Sequence, residues 1–209
     1  MPRTVQIRDI DDEVYAALAV RAAEADLTIP EMLRREATRL AHRPTVKQWL
    51  ERTRRRPSEI STAEVIDALD QIRGPCLMIV LDASVLFEIV ADTPRSDSLR
   101  MRLAQEDDQS APHLIDAEVL YVIQSRLRHG DLDNTAATQA IEDLRTWPGE
   151  RWSHQALLLR AWELRHNIRG YDALYVALAE GLGATLLTLD TRLSRAAGIR
   201  CSIEVPSLD

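Results

Sequence analysis

The chain has 209 residues, 45% apolar and 28% charged, which suits one or two folded soluble domains with enough length to bury a real core. Its net charge of −7 sits in residues 78–209, where thirteen arginines face twenty Asp and Glu; so acidic a half is no general nucleic-acid sponge and would need a cation to act on nucleic acid. Lys47 is the single lysine, and Cys76 and Cys201 lie far apart without ligand-spaced neighbours, which excludes a Walker P-loop, a lysine-dependent Schiff-base or phosphoaspartate enzyme in the second half, a disulfide framework and a zinc site.

No run approaches the roughly 18 uninterrupted apolar residues of a membrane span, and MPRTVQIRDIDDEV lacks a signal-peptide core. The expectation is a cytoplasmic protein with no membrane partner. In chain order, Thr4-Val5-Gln6-Ile7-Arg8 alternates with period two and predicts a short strand with Val5 and Ile7 on its buried face. Asp11-Asp12-Glu13 then supply first-turn acids to a helix through Val14, Leu18, Ala22 and Ala25. Thr28 can cap a second helix with Pro30 in its first turn and Ile29, Met32, Leu33, Ala37 and Leu40 along it, up to Pro44. A unit of about forty residues with one strand and two helices cannot bury its own apolar face, so a second copy should complete it.

RTVQIRDIDDEVYAALAVRAAEADLTIPEMLRREATRL resembles the ribbon-helix-helix module of FitA- and VapB-type antitoxins. The resemblance implies that residues 1–44 dimerise and bind operator DNA. Thr4, Gln6 and Arg8 would enter the major groove, and the backbone near Thr28 would meet phosphates. Residues 45–77 hold a short amphipathic helix through Trp49 and Leu50, an arginine run with Arg54, Arg55 and Arg56, Pro57, and a second short helix from about Ser61. Such pieces do not fold alone, and they read as an arm that wraps a partner.

From Met78 the pattern is α/β. Met78-Ile79-Val80-Leu81 and Thr185 to Leu189 are apolar strands, with helical patterns around 96–106, 112–129, 135–146, 153–165 and 171–180 between them. Uniformly apolar strands alternating with helices predict a parallel sheet covered on both faces. Asp82 and Asp190 each end a strand, so both belong at the carboxyl edge of the sheet, where open α/β folds bind ligands. Glu118 stands between Ile115 and Val122 on the apolar face of a helix opened by Pro112, and Asp172 in the first turn of YDALYVALAEG. Singly, Asp172 and Asp190 also read as helix caps, Asp82 as a turn residue, and Glu118 as the partner of an arginine such as Arg126. Together, four acids with no lysine nearby repel one another, and a divalent cation is the natural compensation. Asp116 lies off the apolar stripe, and histidines 113, 129, 154 and 166 read as scattered surface residues.

MIVLDASVL, APHLIDAEVLYVI, GYDALYVALAE and LLTLDTRLSRAAG resemble, in order and spacing, the four blocks of VapC-type PIN-domain toxins over residues 78–209. The chain as a whole is therefore similar to a toxin–antitoxin pair joined in one polypeptide, antitoxin first: an α/β PIN-like parallel sheet flanked by helices, preceded by a ribbon-helix-helix module and a helical toxin-wrapping arm. The resemblance implies that Asp82, Glu118, Asp172 and Asp190 form the acidic metal-binding and catalytic set, supported by the hydroxyls of Ser84 and Thr188. It also implies a magnesium-dependent endoribonuclease, with manganese a substitute, that cleaves RNA in line to leave a 5′-phosphate and a 3′-hydroxyl. Arg169 stands where smaller residues are commoner in the family, and its role is unassigned. The arm would inhibit, with Trp49 and Leu50 as anchors and one of Arg54, Arg55 or Arg56 in the acidic cleft, in cis or from a second chain. The alternative is that the run is solvated or touches DNA phosphates beside the ribbon. Homodimers or higher oligomers through the ribbon and PIN surfaces are expected. The competing reading is a DNA-binding regulator with an inactive PIN scaffold.

Overall fold

The computed structural model describes residues 5–42, 44–54, 78–105 and 108–207. Thr4, Arg55, Arg56, Cys76 and the second helix expected in the arm lie outside the described residues. The chain forms two compact units, residues 1–43 and 44–209.

In the first unit, residues 5–11 have no regular structure, where the sequence predicts a strand, and Val5 and Ile7 are exposed. The physical reason is that a two-stranded ribbon takes all its ladder bonds from a second strand, and a single copy of this unit has none to offer. Helix α1 spans Asp12–Glu24 and helix α2 spans Ile29–His42. Beyond the end of α1, Asp26 takes the left-handed region at φ 53°, while the Leu27 N–H returns to the Ala22 carbonyl at 2.9 Å; Asp tolerates this conformation better than most side chains. A reciprocal capping box opens α2: the Thr28 N–H and hydroxyl both donate to Glu31 Oε2, at 3.0 and 2.7 Å, and the Glu31 N–H returns to Thr28 Oγ1 at 3.4 Å.

The second unit is a five-stranded, all-parallel sheet in the order β3-β2-β1-β4-β5, with β1 Ile79–Leu81, β2 Gln109–Pro112, β3 Glu150–Trp152, β4 Thr185–Leu187 and β5 Ile203–Glu204. Its helices are α3 Val46–Thr53, α4 Ala83–Val90, α5 Ser96–Leu103, α6 Leu114–His129, α7 Asn134–Arg145, α8 Leu158–Glu163 and α9 Gly170–Leu182. The α/β expectation holds, with corrections of detail. Strands β2, β3 and β5 and helix α4 are additions, and Pro112 closes β2 instead of opening α6. Polar Gln109 and Ser110 make a buried strand because each meets an indole, Trp147 Nε1 donating to Gln109 at 2.9 Å and Trp152 Nε1 to Ser110 at 3.3 Å.

Helix α3 belongs to this unit by packing. Thr45 and Gln48 form its capping box, and Val46, Trp49, Leu50 and Thr53 are buried. Trp49 is fully enclosed, and its indole N–H donates to the Asp143 carbonyl at 2.9 Å. Buried Arg100 satisfies the end of the helix, donating to the carbonyls of Leu50 (2.7 Å) and Thr53 (3.1 Å) while pairing with Asp92 at 3.2 Å. Burial lowers the Arg100 pKa to about 10, against the opposing charge of Asp92, so the guanidinium stays ionised at neutral pH. No helix among the described residues is long and apolar enough to cross a membrane.

Candidate active site

The chain runs β1, β2, β3 to one side and then returns to β4 and β5 on the other, so the direction of winding reverses between β1 and β4. Crevices of parallel sheets open at that point, beyond the carboxyl ends of the strands. Leu81 pairs with Leu187 there. The next residues carry the chemistry. Asp82 follows β1 at the N-cap position of α4 but makes no side-chain cap bond; its Oδ2 instead accepts from the Ser84 hydroxyl at 2.9 Å and from the Thr188 hydroxyl. Those hydroxyls in turn accept backbone N–H groups, Ser84 from Leu189 at 3.1 Å and Thr188 from Asp190 at 3.0 Å. One lattice of bonds thus ties both strand ends around one carboxylate.

Glu118 projects from α6 and is held by Tyr175 of α9, whose hydroxyl donates to Oε2 at 2.6 Å. Burial raises the Glu118 pKa; the Tyr175 bond opposes the rise, and the charges of Asp82 and Asp172 add to it. Asp172, in the first turn of α9, is raised by burial, then by Asp82 and Asp190, with Arg169 and Arg192 opposing. The Tyr175 phenol is pushed up by burial and by the Glu118 carboxylate. Asp190 differs. Arg192, two residues on, grips it through Nε at 2.9 Å and Nη2 at 2.5 Å, and lowers its pKa.

The structure therefore brings Asp82, Glu118 and Asp172 within electrostatic reach of one another and Asp190 within reach of Asp172. Among the described residues no three Asp, Glu, His or Cys side chains are gathered tightly enough to hold an ion as they stand. The carboxylates are turned to protein donors: Ser84 and Thr188, Tyr175, and Arg192. The donor set itself fits a hard divalent cation, being all oxygen, mutually repelling and partly buried.

Other expectations separate cleanly. Asp116 is bound by Arg151 at 3.0 Å. Arg126 pairs with Asp131 at 2.9 Å and not with Glu118. His113 and His154 are not scattered: their rings meet edge to face at 6.2 Å, and His154 Nε2 accepts the Leu114 N–H at the start of α6. Trp49 and Leu50 are buried against the unit, whereas Arg54 reaches Asp97 on α5 at 3.9 Å. Arg8 donates to Gln6 at 3.2 Å, so these two exposed side chains share one side of the N-terminal segment. Sequence reasoning missed Tyr175 and Arg192. Tyr175 hides in an apolar run, but an arginine two residues from a site acid was a visible signal.

The PIN domain family model matches residues 79–199. Ribonuclease VapC1 of Mycobacterium tuberculosis is 36% identical over 127 residues, 60% of this chain and 96% of the relative. Ribonuclease VapC3 of the same species is 42% identical over 124 residues, 59% of this chain and 90% of the relative. Among solved structures, VapBC2 from Rickettsia felis, bound to a DNA fragment from their promoter, superposes with a TM-score of 0.47 at 18% identity, covering 62% of this chain and 98% of that one.

Proposed function

The chain belongs to the PIN-domain family, and from that premise we propose that its second unit is a metal-dependent endoribonuclease of the toxin type, restrained by the residues that precede Met78. The observation that carries the reading is the meeting of Asp82, Glu118 and Asp172, all partly buried, at the carboxyl edge of a parallel sheet, where burial and then the charge of Asp82 raise the other two carboxyls. The relatives' names supply the substrate class, RNA. Held by Asp82, Glu118, Asp172 and Asp190, magnesium, or manganese in its place, would supply charge to admit a phosphodiester and acidify the attacking water. Ser84 and Thr188 fix the Asp82 carboxylate, and Tyr175 fixes that of Glu118. Water adds to phosphorus as the bond to the 3′ oxygen breaks; that oxygen takes a proton, leaving a 3′-hydroxyl and a 5′-phosphate.

For the first unit the reading is a dimeric operator-DNA binder, with Thr4, Gln6 and Arg8 as the residues that would enter the major groove. The exposed apolar residues of α1, Val14, Tyr15 and Val20, suit a second copy of the unit. Thr28 N–H is already taken by Glu31, so a phosphate there would have to displace a carboxylate. Restraint of the nuclease starts from α3, docked through Trp49 and Leu50. One of Arg54, Arg55 and Arg56 would reach the acidic cleft, in cis or in trans, and Arg54 would have to leave Asp97 to do so.

The test is a full chain carrying an inserted protease site between residues 54 and 78. Cutting it should release RNA cleavage in magnesium or manganese that the uncut chain lacks. Silence of the cut chain in both metals would instead favour a DNA-binding regulator on an inactive PIN scaffold.

A further inference from the structure

Along α8 and the turn that leads from it to Asp172 the surface changes character. Helix α8 and the turn after it present Trp162, Arg165 and Arg169 outward, while Leu164 and Ile168 of the same turn point into the core. Trp162 is 68% exposed and Tyr171, next to Asp172, is 66% exposed. The Arg165 guanidinium lies over the Trp162 ring at 4.8 Å from its centre. This surface is braced from behind. Arg160 on α8 grips Glu180 on α9 at 2.6 Å, and the Asn167 amide donates to the Ala197 carbonyl at 3.1 Å. Arg169 and Arg192 close the strip at its inner end: Arg192 grips Asp190 at 2.5 Å, and both arginines are near enough to Asp172 to oppose the rise of its carboxyl.

Two large aromatic rings held out in water on a rigid support gain nothing for the fold. Guanidinium groups interleaved with them, in a half of the chain that is otherwise strongly acidic, form the combination that binds unpaired nucleic acid: flat faces for bases and fixed positive charge for phosphates. Bases inside a duplex could not reach such faces. Arg192 has a further property. Its present partner is a site carboxylate at 2.5 Å, on a guanidinium side chain 72% exposed, so it can trade that carboxylate for a phosphate without crossing the core.

Resting on the ribonuclease reading, we propose that Trp162, Arg165, Arg169, Tyr171 and Arg192 form the track that seats a single-stranded segment of substrate RNA. Trp162 and Tyr171 stack unpaired bases, and Arg169 and Arg192 hold the phosphates that lead to the acids. This gives Arg169 a role: with Arg192 it carries the strand from the stacked bases to the acids.

The reagent is the full chain, before and after cutting at the inserted protease site, because the residues before Met78 are proposed to restrain the second unit. The probe is a short fluorescein-labelled RNA strand, titrated by anisotropy at several salt concentrations with calcium replacing magnesium and the strand confirmed intact on a gel. The strand should bind and its duplex should bind weakly. Arg169→Ala and Arg192→Ala should each weaken binding and reduce the slope of log affinity against log salt by about 0.7, one phosphate contact apiece. Trp162→Ala and Tyr171→Leu should each weaken it by roughly fivefold or more with the slope unchanged, and Trp162→Phe should restore it. Equal binding of duplex and strand, wild-type affinity in the four variants, or no affinity for the strand in either the uncut or the cut chain would each overturn the track. So would a Trp162→Ala variant that loses self-association at unchanged RNA affinity, because the ring would then belong to an interface with a second copy. Cleavage by the protease-cut chain reads the other claim separately: cutting with variants that bind normally sinks the track alone, and track-dependent binding without cutting in either metal sinks the ribonuclease alone.

Discussion

The two units of the chain treat their apolar residues in opposite ways. In the first, Val14 (49% exposed), Tyr15 (55%) and Val20 (59%) stand in water, and Ala22 is the buried hydrophobic residue among those described. In the second, β1 is buried at every position and the core runs on through α4, α9 and β4. Helix α3 shows what decides membership. It follows the first unit in sequence and has only eight residues, too few to stand alone, yet Trp49 commits it to the second unit. A pattern of apolar residues therefore specifies a demand for burial; the chain that meets the demand can be a distant segment, as for α3, or a second copy, as proposed for α1.

The most damaging way to break this contrast is to remove the anchor of α3. Trp49→Ala should cost the second unit about 3–5 kcal/mol, from a lost indole and a carbonyl left without its donor. Urea unfolding followed by near-ultraviolet circular dichroism reads it, and DNA binding by the first unit should be untouched. An unchanged midpoint would mean that α3 does not contribute to the core.

Next in size is the site. Asp172→Asn keeps the shape and removes a charge, so RNA cleavage by the protease-cut chain should fall by about a hundredfold or more, with manganese affinity falling alongside. Glu118→Gln should lose activity similarly but gain stability without metal. Its carboxyl is raised in the fold, so the folded state binds the proton more tightly than the unfolded chain, and the stability this confers is lost as pH rises through the folded value. At neutral pH the metal-free wild type pays that penalty, and the glutamine does not. The melting temperature of the metal-free variant should exceed that of the wild type at pH 7, and the gap should close on acidification into the carboxylate range. In the first unit, Gln6→Ala with Arg8→Ala should cost about 1–3 kcal/mol per lost base contact, abolishing operator binding in a gel-shift assay and leaving cleavage alone. Unchanged sequence-specific binding would mean that the segment is only a dimerisation strand.

Legibility in the sequence followed the range of the forces involved. Asp82 and Asp172 could be read because each sits beside a local signal, a strand end or a first helical turn. Strand β2 could not, since Gln109 and Ser110 are made buriable by indoles 38 and 42 residues away. Helix α4 is apolar nearly all round, ASVLFEIV, so its helical period is muted. The N-terminal strand carries the right alternation, but its ladder would lie between chains. Tyr175 looked like one more core residue until α6 placed Glu118 against its hydroxyl.

The smallest expected effect is also the sharpest check on which acid of α6 matters. Asp116 and Glu118 stand two residues apart, and a helix turns such neighbours to different sides. Asp116 is about half exposed and paired with Arg151. Arg151 does not depend on that carboxylate: it also donates to the carbonyls of Leu144 (2.9 Å), Trp147 (2.8 Å) and Gly149 (3.2 Å) and lies 4.8 Å from the centre of the Trp147 ring. Asp116→Asn should therefore cost at most about 1 kcal/mol of stability, and cleavage should stay close to wild type while Glu118→Gln nearly abolishes it. The two variants are compared in single-turnover cleavage at saturating manganese, which removes differences in metal affinity. Equal losses would place the working carboxylate, or the path of the RNA, on the Arg151 side of the helix, and the contact between Glu118 and Tyr175 would then be a feature of the core.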